Sequence, residues 1–513
     1  MRPSAGPKAL APRAVRSSPE PFSAQPCASL APGGLGSNKI YAFLAPSSLN
    51  MGAMDPRIER VLPWTKSPHM DGYIHPAFDG VARLLREQLS ATPGGAAVCI
   101  YHRGDCVVDL WGGARDAEGR AWQADTMSPS FSTTKGIAST LLHIMVDRGL
   151  IDYDAPVSRY WPEFAQAGKE RVTVRHVLAH QSGLYHIRQM VDHAQRMVDW
   201  EYMIHAIEQT EPVHPPGERT GYHGLTYGYL VGEILQRVTG KPFRQLVQEE
   251  LVEPLELDGM YIGAPSDELY RAADLIWPNP SRLQPYVPRG FTRGLLGLTA
   301  PALNQSARLF GLELDVQSIL DSLAPRGISS FDFGANATLR ASIPAANGLF
   351  TARSLARVYA ALAEGGELDG VELLSRKTLR RAMRRQRRGS KLAVIPFDMR
   401  WRLGYHGVFT TQGSPRNAFG HFGFGGSGAW ADPSRNLSVA MVVNAGLGTP
   451  FGDLRIARIS AAALSAVDAR TSSSRSGVPK PKRPSASAKG QRVRGKSRGR
   501  TPRPRSVPAV KPA

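Results

Sequence analysis

Strand-forming runs stand at the two ends of this 513-residue chain and are scarce in between, and that distribution limits the fold more than any other feature. Residues 96–101 and 106–111 read as two strands around the turn Arg103-Gly104-Asp105. Residues 428–431 and 437–444 form a second such pair around Pro433-Ser434-Arg435-Asn436. Between them, apolar residues recur at three to four positions and predict helices over 135–148, 174–180, 224–238 and 354–364. A helix through Phe78, Val81, Leu84, Leu85 and Leu89 precedes the first pair, and one over 454–467 with Ile456, Ile459, Ala463 and Leu464 on one face follows the second. The expectation is an α+β fold: one antiparallel sheet built from both ends of the domain, with a helical subdomain inserted. Residues 265–345 are rich in Pro, Gly and Asn and give no readable element.

Order is expected over 75–469. Residues 1–74 read as a disordered or extended segment, and 470–513 as a disordered tail, because neither holds enough periodic apolar surface to bury. No apolar h-region follows the early arginines, so a secretory signal is not expected, and Met51 or Met54 is a candidate natural start. The net charge of +20 is uneven: residues 470–513 hold 14 Lys and Arg and no acid, residues 1–50 contribute +4, and 51–469 are left at +2. A solvated tail and an electrostatic attachment to a polyanion both fit that run; with no aromatics for base stacking, such attachment is salt-sensitive and sequence-indifferent. No stretch reaches the roughly 18 apolar residues of a membrane span. Cys27, Cys99 and Cys106 form neither a disulfide framework nor a metal set, which points to a reducing, cytoplasmic setting. Cys99 and Cys106 fall on the two strands of one hairpin, where a bridge is conceivable.

The chemistry-bearing stretch is Phe131-Ser132-Thr133-Thr134-Lys135-Gly136, at the start of a predicted helix. Ser and Lys three apart share a helix face. The helix N-terminus favours negative charge developing near Ser132, and a lysine in a water-poor site loses affinity for its proton and can help activate a serine. A capping serine followed by a surface lysine has the same spacing, so the tetrad does not decide the matter alone.

Further segments do. With Leu150-Ile151-Asp152-Tyr153-Asp154-Ala155-Pro156-Val157, Val172 through Leu184, Pro216-Gly217, Asn347-Gly348-Leu349-Phe350-Thr351-Ala352 and Gly420-His421-Phe422-Gly423, the S-x-x-K box resembles the penicillin-recognising serine hydrolases. Those include class C β-lactamases, D-alanyl-D-alanine carboxypeptidases and family VIII carboxylesterases, and the resemblance spans about 75–467. It implies the β-lactamase-like fold, and three boxes in chain order. Ser132 and Lys135 match the nucleophile and its lysine. Tyr222-His223-Gly224 matches Tyr-x-Asn, making Tyr222 the candidate base that takes the Ser132 proton and passes it to the leaving group. His421-Phe422-Gly423 matches the third box. His421 is then expected to orient substrate or Tyr222, Gly423 to admit substrate close to the strand, and the N–H groups of Ser132 and Phe424 to hold an oxyanion.

The chain departs from the family where Gly224 replaces the second-box Asn. Gly224 has no amide to hold a substrate carbonyl, and His421 replaces the usual lysine of β-lactamases. Both resemble the esterase-type members, so the expected reaction is cleavage of small esters, without cofactor or metal. A β-lactamase or D-amino-acid amidase/peptidase, and a non-catalytic binding protein on the same fold, are the alternatives. Three other patterns carry less. Gly423 to Gly428 fits G-x-G-x-x-G but is followed by strands, not a helix. Ser182 lacks the leading glycine of a nucleophile elbow and reads as a turn residue. His176 and His180 have metal-compatible spacing without a nearby acid to complete a set.

Overall fold

Eight strands from the two ends of the chain join in one sheet in the computed structural model, which describes residues 59–61, 69–276, 315–446 (save 388, 390 and 396) and 454–476. The early strands are β1 (Glu59–Val61), β2 (Met70–Ile74), β3 (Gly95–His102) and β4 (Asp105–Gly113). The late ones are β5 (His406–Gly407), β6 (Phe419–Phe422), β7 (Gly428–Asp432) and β8 (Leu437–Val443). Their order is β1-β2-β4-β3-β8-β7-β6-β5, every neighbouring pair antiparallel. The two ends meet along β3 and β8, in register from His102 opposite Leu437 to Ala96 opposite Val443.

Both junction strands are buried throughout and apolar except for His102 and Ser438, because both faces of the sheet are covered and successive side chains point to opposite faces. Among the described residues the five longest helices are α1 (Asp79–Ala91), α2 (Thr134–Asp147), α3 (Thr226–Thr239), α4 (Ala352–Ala363) and α5 (Arg455–Ser476). Ala97, Cys99, Ala429, Ala431, Ala440 and Val442 face α4, and their small size lets it lie close, with Ser438 Oγ donating to the Ala356 carbonyl at 2.9 Å. Val98, Ile100, Trp430, Val439 and Met441 face the opposite core, shared with Val81, Leu85 and Leu89 of α1 and Ile456 and Ile459 of α5.

The chain leaves the sheet after Gly113, builds the helical half, and returns at His406. At its centre α2 packs against α3, joined by Ser139 Oγ and the Tyr227 hydroxyl at 2.7 Å. Among the described residues, no helix is long and apolar enough to cross a membrane.

The structure moves both edges of the expected domain. β2 pairs with β4 ahead of His75, and its five residues alternate, with Met70, Gly72 and Ile74 buried and Asp71 and Tyr73 facing out. α5 runs past Ala469 to Ser476, since the helix breakers Gly477 and Pro479 come only afterwards. The expectations for residues 1–50, the start at Met51 or Met54, Cys27, and the tail from 477 onward lie outside the described residues. Cys99 and Cys106 touch, with sulfurs 3.8 Å apart, but are free thiols. A bulge after Ile100 pairs Cys106 with Tyr101 and Cys99 with Asp109, so the cysteines are not directly opposite.

Candidate active site

From Thr126 to Val146 every residue is buried except Ser132, which is partly exposed. Ser132 sits in a single 3-10 turn, Phe131–Thr133, that leads into α2. The preceding Phe131 has φ +45°, a region a bulky residue enters only at a cost of about 1–3 kcal/mol. Several contacts hold it there. Ser130 N–H donates to the Gly348 carbonyl at 2.8 Å, Thr134 Oγ1 donates to the Phe131 carbonyl at 2.5 Å, and the Phe131 ring packs on Phe333 and Phe424. The strained turn projects Ser132 out of an otherwise closed core.

Lys135, one turn along, is fully buried. Its Nζ lies 3.0 Å from Ser132 Oγ, 2.6 Å from the Gly224 carbonyl oxygen and 2.8 Å from that of Ala345. The Ala345 carbonyl is fixed by Asn347, whose amide donates to the Thr338 and Ala341 carbonyls and accepts from Ile343 N–H. Burial drives the Lys135 ammonium well below the ordinary lysine range. A neutral amine has two N–H bonds and one lone pair. Carbonyls only accept, so in the neutral form Gly224 and Ala345 take the two N–H bonds and leave the lone pair facing the Ser132 hydroxyl, whereas the charged form donates its third N–H to Ser132 Oγ.

Tyr222 approaches Ser132 from the other box, its hydroxyl donating to Ser132 Oγ at 2.7 Å. Trp401 stacks on its ring, 12° from parallel with centroids 5.7 Å apart, and His180 meets it edge-on at 5.1 Å. The loop itself is pinned by His223, which donates from Nδ1 to the Gly221 carbonyl and accepts at Nε2 from Ser182 Oγ at 2.6 Å. Burial pushes the Tyr222 hydroxyl above its ordinary range, the bond to Ser132 opposing that only in part. The resting phenol therefore keeps its proton and donates it to Ser132 Oγ.

His421 is buried, its ring 6.4 Å from that of Tyr222 with no hydrogen bond between them. Nδ1 lies 3.1 Å from the Phe422 carbonyl and so carries the proton, which leaves Nε2 as a bare acceptor with no partner among the described residues. Burial, with His406 nearby, pushes the ring's pKa well below the ordinary histidine range. Gly423 comes so close to the nucleophile turn that a Cβ would stand 2.3 Å from the Ser130 carbonyl. The Gly423-Phe424 peptide thus lies alongside Ser132 at the end of β6.

A titration follows from the buried lysine. A lysine with a folded pKa below its unfolded value binds fewer protons folded than unfolded, so stability rises with pH from the depressed value up to the ordinary 10.5. Lys135→Met removes this component. Thermal melts across pH are expected to show the wild type gaining on Lys135→Met as pH rises through that window; a difference flat in pH would contradict a neutral buried Lys135.

Ser132, Lys135, Tyr222, His421, Gly423 and Phe424, expected from the sequence, thus converge on one place. Ala345, His406 and Trp401 were not expected: Ala345 ends the unreadable 265–345 stretch, and Trp401 had no motif around it, while Asn347 was read only as part of a family-like segment without a role. Ser182 is more than a turn residue, since it holds His223. His176 caps its own helix through Thr173, His180 packs on Tyr222, and no His, Cys, Asp or Glu group among the described residues is arranged to hold a metal. Gly423 to Gly428 joins β6 to β7, two strands, and is not followed by the helix that a dinucleotide-binding loop opens.

An antiparallel sheet closed from both chain ends over a buried Ser-x-x-Lys helix is the α+β architecture of β-lactamases and penicillin-binding proteins. Residues 81–464 match the family model described as Beta-lactamase, and the chain belongs to that family of hydrolases. It is 37% identical over 376 residues to the Esterase/beta-lactamase LipL of Mycobacterium tuberculosis (strain ATCC 25618 / H37Rv), covering 73% of this chain and 82% of the relative. Two solved structures each cover 77% of this chain and 99% of their own with a TM-score of 0.64. They are a penicillin-binding protein homologue from Caulobacter crescentus at 35% identity and a family VIII carboxylesterase at 32%.

Proposed function

We propose that this chain is a serine hydrolase that cleaves carboxylic esters through an acyl-enzyme on Ser132. The observation that carries the reading is the bonding of Ser132 Oγ, held between the Lys135 amine at 3.0 Å and the Tyr222 hydroxyl at 2.7 Å, with the other two Lys135 positions taken by carbonyls. Lys135 accepts the Ser132 proton as Oγ attacks the ester carbonyl, and the oxyanion forms beside the Ser132 and Phe424 N–H groups. Tyr222 gives its proton to the departing alkoxide and recovers one from Lys135. Water then attacks the acyl-enzyme, its proton returns to Ser132 Oγ through the same pair, and the acid leaves. The esterase names of LipL and of the carboxylesterase structure support ester cleavage at the family level.

Lactam hydrolysis is the second reading, favoured by the double name of LipL. Gly224, without a side-chain amide, counts against it. Assaying a p-nitrophenyl butanoate and a chromogenic cephalosporin side by side tests both: ester turnover well above lactam turnover is expected, and the reverse preference would overturn the order. Tyr222→Phe is expected to lower kcat for the ester by about 10²–10⁴-fold, the usual worth of one positioned acid-base group. An unchanged kcat would remove Tyr222 from the proton path.

A further inference from the structure

We infer that Leu323 is a specificity residue that stands where a second-box side chain would project, and that the site therefore favours esters with an apolar acyl chain. The inference rests on the ester-hydrolase reading above. An ideal Cβ on Gly224 would lie 2.3 Å from Leu323 Cδ2 and 3.1 Å from the Ser322 carbonyl oxygen. The space beside Gly224 is thus taken by a leucine brought from another element, and the glycine is what admits it. The Gly224 carbonyl accepts from Lys135 Nζ, so this leucine is packed two hydrogen bonds away from the nucleophile.

Leu323 is held in place by design of its surroundings. It ends the helix Val316–Leu323, which Asp315 caps by accepting from Ser318 N–H. Ser318 Oγ pairs with His186 Nε2 at 3.0 Å, Gln189 Nε2 donates to Asp321 at 3.1 Å, and Arg188 donates to the Ala324 carbonyl at 2.8 Å. Leu323 itself keeps part of its surface exposed. Ten residues on, Phe333 packs on Phe131, next to the nucleophile, and Phe424, 36% exposed, packs on the same ring. One segment therefore brings an apolar group to each flank of Ser132. Beside Gly224 stand a Leu323 methyl group and the Ser322 carbonyl oxygen, with no side-chain amide to meet a substrate carbonyl, so a polar acyl substituent would lose its water with little in return. The leaving alcohol departs toward the Tyr222 hydroxyl that protonates it. Leu323 packs against Gly224, whose carbonyl binds Lys135, and is assigned to the acyl side on that ground.

The test is a kcat/KM series on the full chain with p-nitrophenyl acetate, butanoate and hexanoate, for wild type, Leu323→Ala and Leu323→Met. The hexanoate-to-acetate ratio is read within each protein, so it does not depend on the fraction that is folded. The wild-type ratio is expected to exceed one, Leu323→Ala to lower it about 10-fold, in line with the discrimination a small apolar contact provides, and Leu323→Met to stay within about 3-fold of wild type. Acetate esters of lengthening alcohols should show no such change. An unaltered ratio in Leu323→Ala, or an effect confined to the alcohol series, would overturn the assignment of Leu323 while leaving ester hydrolysis intact. Equal rates for wild type and Ser132→Ala on every ester would instead overturn the underlying reading.

Discussion

Ser132→Ala is expected to lower kcat/KM for a p-nitrophenyl ester by about 10⁴-fold or more, the scale seen when a serine nucleophile that acts as part of a unit is removed. The hydroxyls beside it in sequence are not free to replace it: Ser130 Oγ is committed to the Ser128 carbonyl at 2.9 Å, and Thr133 is fully buried. The fold should survive. Ser132 is the exposed member of its stretch, so its loss is expected to change stability by no more than about 1 kcal/mol. Rates and melting temperatures measured together separate the two effects. A variant that melts like the wild type and hydrolyses like it would show that the reaction, if any, occurs elsewhere.

Lys135→Met should cost about as much, on the order of 10⁴-fold, and the double variant with Ser132→Ala should be no slower than Ser132→Ala alone, because the two residues act in one step. Lys135→Arg is the sharper comparison. A guanidinium offers donors to the Gly224 and Ala345 carbonyls but stays charged and has no lone pair to receive the serine proton. It is expected to remain inactive at every pH, whereas the wild type gains activity as pH rises through the lowered Lys135 pKa. Activity in Lys135→Arg near that of the wild type would make Lys135 an electrostatic neighbour and not the base.

The strands at the chain ends were legible because apolar strands buried on both faces leave continuous runs, and Gly95–His102 and Leu437–Val443 are such runs. Their pairing with each other was legible only as economy, since nothing local to either strand names its partner. Ser132, Lys135 and Tyr222 were found through motif order. Their surroundings were not, because Ala345 contributes a backbone carbonyl, and any residue has one. Trp401 acts by stacking on a ring 179 positions away in sequence, a contact without local signature. Leu323 was hidden for a further reason: Gly224 showed that a side chain was missing, but not what had moved into its place. The domain edges slipped where a short paired strand or an absent breaker decided the structure.

The central claim is a covalent intermediate on Ser132, and trapping it is the most direct test. The full-length protein is mixed with excess p-nitrophenyl ester, quenched in acid within the first turnovers, digested and mapped by mass spectrometry. The account predicts one added acyl group on the peptide holding Ser132, at Ser132 itself, and none in Ser132→Ala. Ester turnover with no acyl group on that peptide, or with the group on another residue, would contradict it.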